Sequence, residues 1–434
     1  MIIPRPGQPP RTDGQITPIP LLPLRLPPEP LRYPALPSPL RDHRFSATYN
    51  VTTHIIPAAF PRSTPFIAPP PAFPSHEIDD EREARIQRYT RELISLQAQY
   101  VPDSSGTQPT VLWNVLNRYV RHGKGGGLTL LMLHANGMHK ETFEPTIRHL
   151  LQAADEDTRY RIDEVWTLDA VQHGDAGLIN ADNLGALFTW SDHARDILNF
   201  ILHFLPDTVT PSELPTHLPR VPLEVSSARE KRGFTNRELV VVGHSFSGCA
   251  ATLAAHTAPA PFSGLVHVDP IIVPSTFNRD ETIRNFIVRV LARRSGWSSR
   301  EEAYSLMRKS PYFGAWDPDV FRSYVDYALV EDSSGKVTLK CNTIQEAVVF
   351  ADKIRSIEAW SVLPEIDKRI AMKWIIPSLK KTIYQSYELV QEAVWRRAEN
   401  VTNVVVAKAA HVVRLIWHKS FMHTQLTSQS GHPR

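Results

Sequence analysis

Cysteine is nearly missing from this chain. Two residues, Cys249 and Cys341, stand among 434, which excludes a disulfide framework and a thiolate zinc cluster and suits a reducing compartment. Charge of one sign is missing as well. Lys and Arg number 48 against 45 Asp and Glu, a formal charge of +3, too balanced for the electrostatic footprint of a nucleic-acid binder. No apolar run reaches the roughly 18 residues a membrane-spanning helix needs. The opening MIIPRPGQPP lacks the uninterrupted apolar core of a secretory signal. The expectation is a soluble, non-secreted protein with no nucleic-acid partner and no membrane span. His134 and His139 lack H-E-x-x-H spacing, and Gly123 to Gly127 lack the glycine–lysine order of a P-loop. No metal and no cofactor is expected.

Proline, by contrast, is abundant and uneven: 20 of the 37 fall in residues 1 to 75. Each fixes φ and removes a backbone donor, so residues 1 to 42 read as a disordered arm, with PPEP as a candidate polyproline ligand. Residues 43 to 75 regain β-branched and aromatic side chains and suit an outer strand. From about 78 a charged helical period begins, DDEREARIQRYTRELISLQ. The short apolar runs at 128 to 135, 164 to 170, 238 to 244 and 264 to 269 are separated by helix-length stretches. Such runs suit strands buried on both faces of a parallel sheet covered by helices. A fifth run, AMKWIIP at 371 to 377, follows a block over 271 to 365 that reads as a helical lid insertion. There Ser299 and Glu302 have capping-box spacing, and Asp317 with Pro318 makes an N-cap and first-turn pair. The resulting division is core over 43 to 270 and 366 to 415, insertion over 271 to 365, and a tail over 416 to 434. The fold class is α/β, a mostly parallel sheet with helices on both faces.

Chemistry concentrates at Gly243-His244-Ser245-Phe246-Ser247-Gly248, between an apolar strand and the helical run CAATLAAHTA. A nucleophile elbow needs small residues two before and two after the serine, because strand and helix must pass closely at a strained turn. Gly243 and Ser247 meet that need. A serine requires a base and a group that orients it. Asp269 ends the next strand, where parallel strands bring their carboxyl ends to one edge; the plainer reading is a turn-opening aspartate before Pro270. His411 follows NVVVAKAA in the order Ser, Asp, His, with His418 and His423 as weaker competitors. The oxyanion donors expected are the N–H of Phe246 and one from the loop Asn136, Gly137 and Met138, with Met138 first. Gln172 to Asp175 is expected to shape a loop beside the site.

The segments HANGMHKETFEPTIRHLL, LDAVQHGDAGLIN with WSDHARDIL, VVGHSFSG and LVHVDP together resemble a fungal α/β-hydrolase family of toxin and secondary-metabolite pathways, which includes the acyl-CoA hydrolase of mycophenolic acid biosynthesis. The resemblance runs from about 48 to 413. It implies an α/β-hydrolase fold, a triad on Ser245, Asp269 and His411, and hydrolysis of an acyl-CoA thioester or related ester, with a homodimer as an option. Acyl transfer on the same residues, or a binding module with an impaired triad, are the alternatives. The chain departs from the family in Met138, where an aromatic is usual, in Ser247 for glycine, in the proline-rich start and in ending GHPR instead of a peroxisomal tripeptide. The expected location is therefore cytoplasmic.

Overall fold

The computed structural model describes residues 1–7, 14–39, 41–71, 79–100, 110–123, 125–156, 160–407 and 409–411. Among them are β1 (Tyr49–Pro57), β2 (Trp113–Arg121), β3 (Leu128–Leu133), β4 (Ile162–Asp169), β5 (Glu238–His244) and β6 (Gly264–Val268). Then follow β7 (Gly296–Trp297), β8 (Leu329–Glu331), β9 (Val337–Leu339), β10 (Ala371–Pro377) and β11 (Val401–Val406). Eight of these form one sheet in the order β1-β2-β4-β3-β5-β6-β10-β11. The pairs β1/β2 and β2/β4 are antiparallel. All other pairs in the sheet are parallel.

The apolar runs form strands because both their faces are covered. In β3, Leu131 and Leu133 enter one core with Trp190, Ile197, Phe246 and Ala250. Their neighbours Leu130 and Met132 enter the opposite core with Phe143, Ile147 and Leu150. Side chains alternate across a strand, so continuous apolarity is what a double-sided sheet demands. The helix Asp79–Gln99 agrees with its expected start near 78. β2 lacks an apolar signature because Asn114, Asn117 and Arg118 interrupt it. All three are nonetheless buried and bonded: Asn114 Nδ2 donates to Asp169 O, Asn117 Nδ2 to Glu141, and Arg118 Nε to Glu164.

Two expectations require correction. The first is the arm over 1 to 42, whose described parts lie along the body. Ile3 is buried and exchanges bonds with the side chain of Asn403 in β11. Ile16 and Ile19 donate to Ser361 and Glu358, and Arg195 donates to the carbonyl of Leu22. Prolines forbid a ladder but leave carbonyls free, and side chains of the body satisfy the segment. Further on, Ser38 Oγ donates to Asp175 and accepts from Lys340 Nζ at 2.8 Å, while Arg41 forks onto Glu144 and stacks over Tyr327.

The second correction concerns the insertion, which is not wholly helical. β7, β9 and β8 make a small antiparallel sheet. Around it Trp297, Phe313, Trp316, Phe321 and Tyr324 form a separate core that also takes in Ala135 and Met138. The flanking helices Asp280–Ala292, Thr343–Phe350 and Ile354–Val362 instead join the main core through Ile287, Val348 and Trp360. Both N-caps are made, Ser299 Oγ accepting from Glu302 N and Asp317 Oδ1 from Asp319 N, but the Glu302 carboxylate accepts from Ser298 N and does not close the box on Ser299.

Candidate active site

Ser245 sits between β5 and the helix Phe246–Thr257 with φ 59° and ψ −123°, a conformation that costs a non-glycine residue of order 1–3 kcal/mol. Its own main chain is pinned by Ser245 N to Val268 O at 3.1 Å and by Ile271 N to Ser245 O at 3.1 Å. A Cβ at Gly243 would lie 2.6 Å from Gly248 Cα, and one at Gly248 2.6 Å from the side chain of Pro270. The tight crossing therefore uses Gly243 and Gly248. Ser247 is not compressed: its hydroxyl donates to His134 O at 2.6 Å and lies 3.1 Å from His193 Nε2. That bridge accounts for a serine at this position.

Asp269 follows β6 with φ 39°, held by its N–H to Ile375 O at 2.9 Å. It is fully buried. One carboxylate oxygen accepts from Thr382 Oγ1 at 2.7 Å and the other lies 2.6 Å from His411 Nδ1. His411 Nε2 is 3.1 Å from Ser245 Oγ. With Nδ1–H donating to the carboxylate, Nε2 is the acceptor for the serine hydroxyl. His411 lies five residues past the end of β11, in the loop after the strand and not at its tip. Its side chain is 27% exposed, so one edge of the base meets solvent. Ser245, Asp269 and His411 thus come together; His418 and His423 lie outside the described residues.

The loop expected to supply donors passes over the same end of the sheet. Phe246 is the first helical residue, and its N–H has no intrahelical acceptor. Met138 N–H closes a turn on Ala135 O at 3.1 Å, and Gly137 N–H points to His173 Nε2 at 3.1 Å. The sequence-based first choice, Met138, is therefore already engaged. Gly137 has φ 75°, and a Cβ there would meet the Glu346 carboxylate at 2.7 Å, so glycine is required. Asn136 Nδ2 donates to Glu346 O at 2.9 Å, which makes it a loop anchor.

Beneath this loop lies a buried charge cluster. Lys140 Nζ is 2.9 Å from Asp169, 2.7 Å from Asp175 and 2.9 Å from Glu141; Lys340 adds a second cation on Asp175 at 2.6 Å. Burial pushes Asp169 up to about 6 despite Lys140. Asp175, also buried, is drawn down to about 2 because Lys140 and Lys340 more than offset that burial. Gln172 to Asp175 thus frame the site through Asp175. Burial likewise lowers the rings of His134 to about 4 and His244 to about 3, and those of His173 and His193 well below the usual value. All four are neutral at pH 7. Residue types alone did not point to Thr382 or His244 as partners.

An alpha/beta hydrolase family model matches residues 130–418. The chain is 29% identical over 208 residues to the type I acyl-CoA thioesterase mpaH of Penicillium brevicompactum, covering 46% of this chain and 41% of that protein. It is 31% identical over 146 residues to the peroxisomal membrane protein LPX1 of Saccharomyces cerevisiae, covering 34% and 31%. It is also 30% identical over 118 residues to the abhydrolase domain-containing protein AFT2-1 of Alternaria alternata, covering 26% and 44%. The chain spans less than half the length of these relatives. The solved structure of the yeast peroxisomal alpha-beta-hydrolase Lpx1 superposes with a TM-score of 0.59 at 18% identity, covering 85% of each chain. Among the described residues no helix is long and apolar enough to cross a membrane. Sheet order, elbow and family match agree: the chain belongs to the alpha/beta hydrolase family.

Proposed function

We propose that this protein hydrolyses an acyl-CoA thioester or a related ester through Ser245, His411 and Asp269. The observation that carries the reading is the continuous chain of contacts from Ser245 Oγ through His411 to the Asp269 carboxylate, at 3.1 and 2.6 Å. Ser245 Oγ attacks the acyl carbonyl carbon while its proton passes to His411 Nε2. Asp269, hydrogen-bonded at Nδ1, stabilises the imidazolium so formed. The tetrahedral oxyanion takes the Phe246 N–H, at the positive end of its helix; a second donor from Met138 would have to be shared with Ala135 O. His411 then gives its proton to the departing thiolate or alkoxide. Water, reaching the exposed edge of the ring, loses a proton to His411 and attacks the acyl-enzyme, and the acid leaves with Ser245 restored. Thioester chemistry is favoured because the mpaH relatives are named acyl-CoA thioesterases. The two buried free cysteines suit a cytosolic setting.

Labelling with a fluorophosphonate probe tests the nucleophile, and an acyl-CoA panel scored for free thiol and free acid tests the reaction. Ser245→Ala is expected to lose both signals while remaining folded. Parent-like turnover by that variant would remove Ser245 from the mechanism.

A further inference from the structure

The proposed mechanism leaves His244 without a role, yet its placement is specific. It immediately precedes the nucleophile, is fully buried, and its Nε2 lies 2.9 Å from the main-chain carbonyl oxygen of His411. A carbonyl only accepts, so Nε2 carries the proton and donates. Nδ1 of the same ring is buried without a hydrogen-bond partner among the described residues. The donation to His411 is thus the ring's polar contact there, and the ring is not one link of a wider network.

His411 has a demanding position to keep. Its two ring nitrogens must face Asp269 and Ser245 together, and only two side-chain torsions separate the ring from a main chain that has already left β11. Ala409 fixes the earlier part of this loop, its N–H on Val406 O at 3.0 Å and its carbonyl accepting from Ser378 N at 3.1 Å. The main chain of residue 411 itself is tied to β5 by His244. One residue therefore joins the strand that presents the nucleophile to the loop that presents the base, and a misplacement of about 1 Å at such a site is worth roughly a hundredfold in rate.

We propose that His244 is a positioning residue, whose Nε2–H holds the His411 carbonyl and so sets the base against Ser245. The proposal rests on the reading of Ser245, His411 and Asp269 as the reacting unit. Burial keeps the ring of His244 neutral, near pKa 3, so its proton stays on the donor while His411 gains and loses its own.

The test uses the full chain with His244→Gln, which retains an N–H of suitable reach, and His244→Met, which has similar length and no donor. His244→Leu serves as a second donorless form if the methionine variant fails to fold. The fluorophosphonate labelling rate, and kcat and KM on an acyl-CoA or p-nitrophenyl ester, are measured on variants with parent-like near-UV circular dichroism. The donorless form is expected to lose roughly ten- to hundredfold in labelling rate and kcat with KM within about twofold, and glutamine to recover most of that loss. A folded donorless variant that labels at the parent rate overturns the proposal, as does an equal loss in the glutamine form. Parent protein that takes no label overturns the reading of Ser245 and this inference with it.

Discussion

Thr382 donates its hydroxyl proton to Asp269 across 2.7 Å, onto the carboxylate oxygen that does not face His411. The carboxylate is buried, so this donor both satisfies a lone pair and fixes the rotation of the group. Hydrogen bonds to charged groups contribute about 1.5–3 kcal/mol. Thr382→Val, nearly isosteric, is expected to lower kcat roughly tenfold or more with little change in KM, and Asp269→Asn by roughly 10⁴. Steady-state kinetics on one ester substrate decide; a valine variant with parent kcat would make Thr382 a bystander.

Ser247 offers a test of stability. Its hydroxyl joins the His134 carbonyl to the His193 ring, and all three residues are buried. Ser247→Gly removes the bridge without any clash and leaves an acceptor and a donor unmatched, which is expected to cost about 1–3 kcal/mol. Urea denaturation measures this directly, and a midpoint equal to or above the parent's would contradict it.

The charge cluster at Lys140 predicts a larger effect. Lys140→Met would leave Asp169, Glu141 and Asp175 buried without the cation they share, Lys340 remaining on Asp175 and His139 and Asn117 on Glu141. Removing one partner of a buried ionic group costs about 3–5 kcal/mol. The loop from His134 to Phe143 rests on this cluster, so labelling of Ser245 should slow in parallel. Unaltered unfolding would show that the carboxylates take up protons and adjust without loss.

Acid should weaken the fold well above the range where carboxylates titrate. His54 and His134 are held near pKa 4 and His244 and His267 near 3, burial being the main cause in each. A base whose folded pKa is depressed contributes stability that is complete above the unfolded value near 6.5 and is lost as pH falls toward the folded value, because the unfolded chain takes up the proton first. Each such ring contributes up to about 1.4 kcal/mol per pH unit in that window. Asp169, raised to about 6, acts in the opposite sense, since its folded form holds a proton the unfolded form has lost. With His173, His193 and His203 also held low, the depressed rings outnumber the raised carboxyls Asp169, Asp196 and Glu358, so net stability falls as pH drops toward 5. Denaturation midpoints at pH 7.5 and 5.0 should differ strongly; equal midpoints would mean these rings are not buried as neutral groups.

What could be read from residues was local chemistry. The elbow is legible because strand, glycine, serine and helix follow one another within a few positions, and Asp269 and His411 because each follows an apolar run. Thr382 and His244 gave no signal, since their partners lie 113 and 167 positions away and no period or spacing connects them. β2 is not legible because Asn114, Asn117 and Arg118 are matched by partners on other elements, and sequence cannot display a partner. The proline-rich start misled for a related reason. Proline content excludes helix and ladder, but whether such a chain stays free depends on donors elsewhere, here Arg195 and Asn403. Motif position alone points to Met138 as an oxyanion donor and cannot reveal that its N–H already closes a turn.

The segment around Ser38 and Arg41 crosses from the core to the insertion, touching Asp175 and Glu144 on one side and Lys340 and Tyr327 on the other. The insertion is therefore tied to the core through a third stretch of chain, and Lys340→Met would cut the ionic part of that tie while leaving Ser245, Asp269 and His411 untouched.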